Sequence, residues 1–173
     1  MMTVELLSSV LATLDEKIPT CSQLVSEGAC SWDCCTYTDS YILLLPGEKE
    51  SAERMGFSLS HYNIIDDNYH GGMKIVPADM GCCVSPGQGS NAYKPVDCRV
   101  FPFWFQFAGD ELEIVEGKSC PAIRMGLYLN KYRDQALRTG TLLARDGDIA
   151  EFLRKARMVN YSGDGSGIPV VSV

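Results

Sequence analysis

The sequence predicts an α+β fold in a single domain, 1–173, with helices flanking an irregular cysteine-rich metal-binding core and a short β-hairpin. Three observations carry this prediction. Apolar residues recur at helical spacing near the start and again in the last third of the chain. Phe101, Phe103, Phe105 and Phe107 fall on one side of an extended segment, at period two. Seven of the eight cysteines gather in tight groups, leaving Cys21 alone upstream. Hydrophobic residues make up 46% and charged residues 21%, the balance of an ordinary globular chain able to bury its own core.

The elements follow in order. Val4, Leu7, Val10, Leu11 and Leu14 predict an amphipathic helix over 3–17, ending before Pro19. Residues 18–40 are turn-rich and hold the first cysteine group. Tyr41-Ile-Leu-Leu-Leu45 is a short apolar run stopped by Pro46-Gly47 and reads as a buried strand, with a helical segment as the alternative that periodicity leaves open. Residues 47–56 predict a short exposed helix closed by Gly56, with Glu48, Glu50 and Glu53 on a solvated face. Within 57–80, Gly71-Gly72 marks a turn and Met73–Val76 a strand. His61 and His70 sit in polar, turn-like sequence and read as surface residues. Gly, Pro, Ser and Asn crowd 81–97, which reads as loop.

The Phe-rich strand follows, its start held at a sheet edge by Pro102. The Phe stripe reads as core. Gly109-Asp110 predicts a turn and Glu111–Glu116 a returning strand, so the two form a hairpin. Helical patterns cover 122–139 and 147–159, split near Gly140 and Gly147. The tail from Tyr161 to Val173 reads as loosely held.

The cysteines define the chemistry. Cys30-Ser-Trp-Asp-Cys34-Cys35 forms one group, Cys82-Cys83 a second, and Cys98 with Cys120 a third. So dense a set has two usual causes, an extracellular disulfide framework or thiolate ligands for a soft metal. The chain has no Lys or Arg before Lys17, and its early apolar residues alternate with polar ones, unlike a secretory leader. No stretch approaches the roughly 18 apolar residues of a membrane span. These features predict a cytoplasmic protein, where thiols stay reduced, and so favour metal. The net charge of −7 argues against a nucleic-acid partner, which needs a basic face. Two histidines leave any metal site dominated by thiolates. Cys30 and Cys34 have ligand spacing, whereas the side chains of adjacent cysteines diverge. Either one member of each pair stands outside the first coordination sphere or the pair serves two metals. Cys21 reads as a small buried apolar residue.

At Cys30-Ser-Trp-Asp-Cys34-Cys35, Leu45-Pro46-Gly47-Glu48, Pro95-Val-Asp-Cys98-Arg99-Val-Phe101-Pro102 and Cys120-Pro121, the chain resembles the zinc- or iron-chelating family named for its CxxxCxxCC cluster. The resemblance runs over residues 28–123, the expected metal-binding region, with 124–160 as a C-terminal helical region. Its most specific block is Cys-Arg-x-Phe-Pro. Ser31 stands where the family pattern has a cysteine, and Cys82-Cys83 offer a replacement donor. The resemblance implies metal or iron–sulfur binding. Some relatives are associated with lysine methylation of flagellin, an activity that needs a methyl-donor site not visible in this sequence.

The candidate metal ligands are therefore Cys30, Cys34, Cys35, Cys82, Cys83, Cys98 and Cys120. An iron–sulfur cluster is favoured over zinc, because the thiols exceed the four that zinc needs and the aromatic strand excludes water. Redox activity is one expectation. The alternatives are an enzyme that modifies a protein or peptide at the metal, in the manner of lysine methylation, and a metal-free thiol–disulfide switch. No membrane partner is expected, and the sequence names no protein partner.

Overall fold

The computed structural model of the chain describes residues 1–13, 21–28, 41–78, 91–117, 120, 126, 129–156 and 168–169. Helices and small antiparallel sheets alternate along it, as the α+β expectation requires. Helix α1, Val4–Thr13, buries Leu7 and Val10 on one face. The remainder of the expected helix, 14–17, lies outside the described residues. Helix α2, Cys21–Ser26, is a short helix within the segment read as turn-rich.

Strand β1, Ile42–Leu44, is fully buried, as its unbroken apolar run predicts. Helix α3, Glu48–Arg54, follows, and Gly56 lies just past it in the left-handed region at φ 86°. Strands β2, Tyr62–Tyr69, and β3, Gly72–Pro77, complete a sheet of order β1-β3-β2. The sequence reading misses β2. That strand has no alternation, because Ile64 and Ile65 both face solvent, at 49% and 55% exposure. The register slips between Ile64 and Asp66, so Ile65 is the extra residue of a bulge, a device suited to a sheet edge. The turn falls at His70-Gly71, both in the left-handed region.

Helix α4, Val96–Val100, begins inside the segment read as loop and leads through a cis Phe101–Pro102 bond into β4, Phe103–Ala108. Strand β5, Glu111–Glu116, returns antiparallel, pairing Phe103 with Glu116 and Ala108 with Glu111. The hairpin is as expected, and Phe103, Trp104 and Phe105 are all buried core residues. Ile168–Pro169, within the tail, forms β6 against β5. Helix α5, Leu129–Leu143, runs straight through Gly140. The glycine is a packing feature rather than a break: a Cβ there would stand 3.0 Å from the Phe105 ring, so the helix lies close on β4. Its buried residues Tyr132, Gln135, Ala136, Thr139 and Leu143 form one stripe at helical spacing. Helix α6, Gly147–Lys155, is capped by Asp146, whose side chain accepts from the N–H groups of Asp148 and Ile149.

The core gathers α1, β1, β3, α4, β4, β5, α5 and α6 into one apolar cluster. At the α6 end the fit is steric. A Cβ on Gly72 would sit 2.6 Å from the Phe152 ring and closer still to the Leu44 carbonyl oxygen.

Candidate metal centre

Of the seven candidate ligands, the described residues contain Cys98 and Cys120. Cys98 is half-buried in α4 and Cys120 is buried. Cys30, Cys34, Cys35, Cys82 and Cys83 lie outside the described residues. Among the described residues, no three His, Cys, Asp or Glu side chains converge as a metal group.

The backbone brings the segments carrying Cys98 and Cys120 to one end of the β4–β5 hairpin. Phe101-Pro102 leads α4 into β4, and Gly117 leaves β5 directly opposite. The Gly117 N–H donates to the Pro102 carbonyl at 2.6 Å, and the Cys120 N–H donates to the Gly117 carbonyl at 3.0 Å. Gly117 permits this approach, since a Cβ would meet the Phe101 ring at 3.0 Å and the Pro102 carbonyl oxygen at 3.1 Å. The segment carrying Cys120 is thereby tied to the base of the strand that α4 enters.

Helix α4 is only five residues long, too short to persist by its own hydrogen bonds. Two buried carboxylates hold it. Glu48 is 0% exposed, which overturns its assignment to a solvated face; Glu50 and Glu53 are exposed as expected. Glu48 Oε1 accepts from the Val96 N–H and from the Tyr93 hydroxyl, each at 2.8 Å. Its Oε2 accepts from the Leu45 N–H at 2.8 Å. Asp97, inside α4, accepts from the Leu43 N–H of β1 through Oδ2 at 2.8 Å. Both carboxylates are thus engaged with protein donors.

The cost of burial is visible in both groups. Burial pushes Glu48 above its ordinary pKa, against the opposing pull of the Val96 and Leu45 N–H groups, the Tyr93 hydroxyl and the Arg99 charge. Burial likewise pushes Asp97 up to about 7; the neighbouring Glu48 charge adds to the rise and the Leu43 N–H opposes it. Tyr93 is raised by burial and then by Glu48.

Among the described residues, the contacts of Arg99 are to backbone and to an aromatic ring. Its Nε donates to the Lys94 carbonyl at 2.6 Å, and its guanidinium lies 5.9 Å from the centre of the Tyr93 ring. Gln135 of α5 donates to the Arg99 carbonyl at 3.2 Å. Cys98 therefore sits between two residues whose positions are fixed from different sides, Asp97 by β1 and Arg99 by α5. His61 is half-buried, with Nε2 3.1 Å from the Tyr93 carbonyl oxygen, and burial lowers its pKa; His70 is exposed.

Sequence reasoning found the Leu45-Pro46-Gly47-Glu48 and Pro95–Pro102 blocks but not their connection. The available signal was a glutamate placed immediately after a wholly buried strand and its Pro-Gly stop. No family profile, curated protein or solved structure matches the chain. No helix among the described residues is long and apolar enough to cross a membrane.

Proposed function

We propose that the protein is a cytoplasmic metal-binding protein that holds an iron–sulfur or zinc centre through clustered cysteine thiolates, with the iron–sulfur cluster favoured. Cys98 and Cys120 would be donors from the described part of the chain, joined by Cys30, Cys34, Cys35, Cys82 and Cys83. Bound metal would cross-link the chain and, in the iron–sulfur case, supply one-electron redox chemistry. The resemblance to the CxxxCxxCC family belongs to this proposal.

The observation that carries the reading is the tethering of the segments carrying Cys98 and Cys120 to one end of the hairpin, with the nearby carboxylates already committed to backbone and tyrosine donors. A buried carboxylate clamp on a five-residue helix orients one of the proposed donors.

The test is purification of the full chain without oxygen, followed by elemental analysis and absorption spectroscopy. The expected result is bound iron with sulfide and a broad absorption near roughly 400 nm from thiolate-bound clusters. Stoichiometric zinc in a colourless protein would select the structural site. A chain free of metal would overturn the proposal.

A further inference from the structure

None of the hydrogen bonds of Glu48 caps its own helix. It sits in the first turn of α3, yet it accepts from two groups on the segment leading to Cys98, the Tyr93 hydroxyl and the Val96 N–H. Its other oxygen takes the Leu45 N–H at the end of β1. One side chain thereby ties β1, α3 and the start of α4 together at 0% exposure. A carboxylate is costly to bury, so so many directed bonds at this point have to hold something that apolar packing does not orient. Val96 and Val100 fill the core, but apolar contacts tolerate rotation and sliding of a helix this short.

We propose that Glu48 is the positioning residue for the Cys98 thiolate. The inference rests on the metal-thiolate reading given above. Glu48 touches no metal; it acts through the Val96 amide and the Tyr93 hydroxyl, which set where α4 starts and so where Cys98 is presented. Asp97, bonded to the Leu43 N–H, holds the next residue along the same helix.

The experiment uses the full chain, purified without oxygen, freed of metal and loaded with cobalt(II), whose thiolate charge-transfer absorption reports bound sulfur ligands. Wild type is compared with Glu48→Gln, Cys98→Ser and the double variant, below the melting temperature of each. Glutamine offers one acceptor oxygen where glutamate has two, so it cannot serve all three donors. Glu48→Gln is expected to lose the same share of the charge-transfer band as Cys98→Ser, and the double variant to lose no more than either. Tyr93→Phe, which removes one of the three bonds and is the gentler change, is expected to weaken cobalt affinity by about fivefold.

A wild-type band in Glu48→Gln, with only its melting temperature lowered, would overturn the proposal, as would losses that add in the double variant. A second readout separates this inference from the reading beneath it. Iodoacetamide alkylation of Cys98 in the metal-free chain, followed by peptide mass, is expected to change by about fivefold or more in Glu48→Gln while Cys120 keeps its rate. Should wild type show no thiolate–cobalt band, the metal reading fails, and this alkylation rate alone decides whether Glu48 positions the thiol. An unchanged rate at Cys98 would refute it.

Discussion

Two regions that meet at β1 are assembled by different physics. Around α6, Phe152 is packed onto Gly72 and the Leu44 carbonyl with no room for a methyl group. Around α4, Glu48 and Asp97 are buried among backbone N–H groups and a tyrosine hydroxyl. Steric packing is dense and broadly tolerant of chemistry, but it specifies direction poorly. Buried hydrogen bonds cost desolvation, yet they fix donor and acceptor in angle as well as distance. Cys98 lies in the region built by the second method. A site for ligands needs orientation, whereas a structural core needs volume filled.

The largest expected break in this comparison comes from the cysteine itself. Metal-binding free energy at a thiolate site is folding free energy, on the order of 10 kcal/mol for structural zinc at neutral pH. A whole domain is stable by only about 5–15 kcal/mol. Cys98→Ser should therefore lose metal and much of the stability together, while Cys21→Ser, outside the candidate ligand set, should do neither. Thermal melts with metal content measured on the same samples provide the comparison.

Glu48→Ala comes next. It strands the Leu45 and Val96 N–H groups and the Tyr93 hydroxyl, and should cost about 4 kcal/mol in urea unfolding, since each stranded buried donor costs about 1–3 kcal/mol.

Part of this was readable from sequence alone. Leu7 and Val10 announce a buried face through helical periodicity, and the Ile42–Leu44 run announces burial because it is apolar without a break. The Phe-rich hairpin was legible through periodicity as well, with Gly109 at φ 66° making its turn. Strand β2 was not, because an exposed bulged edge has no apolar alternation to read. Helix α4 was hidden by its length and by the Pro and Asn residues just before it. Gly140 misled because a glycine chosen for close packing against Phe105 looks the same in sequence as one that ends a helix. The block holding Glu48 was noticed, but the bonds that Glu48 makes were not legible, for a deeper reason. Its partners Tyr93 and Val96 are remote in sequence, and the local pattern of Glu48, Glu50 and Glu53 suggests a wet face.

In the sterically packed region, Gly72→Ala forces a methyl group against Phe152 and the Leu44 carbonyl. It should cost about 2–3 kcal/mol by chemical denaturation, the upper range for overpacking a core. Metal content should remain that of wild type, which sharpens the contrast with Glu48→Gln. The smallest effect is expected at Asp146→Ala, which removes the α6 cap and a surface contact to the N-terminal ammonium group. A loss of about 1 kcal/mol, mostly from the cap, should appear as a shift of a few degrees in the melt, again with metal retained.

The central claim is that the cysteines are held as metal thiolates. It is tested most directly by alkylating the native, metal-replete protein with and without a strong chelator, counting modified cysteines by mass. The account predicts that the candidate ligands, Cys98 and Cys120 among them, resist alkylation until the chelator is added and then react together. Rapid modification of those same cysteines in the native protein before any chelator is present would contradict it.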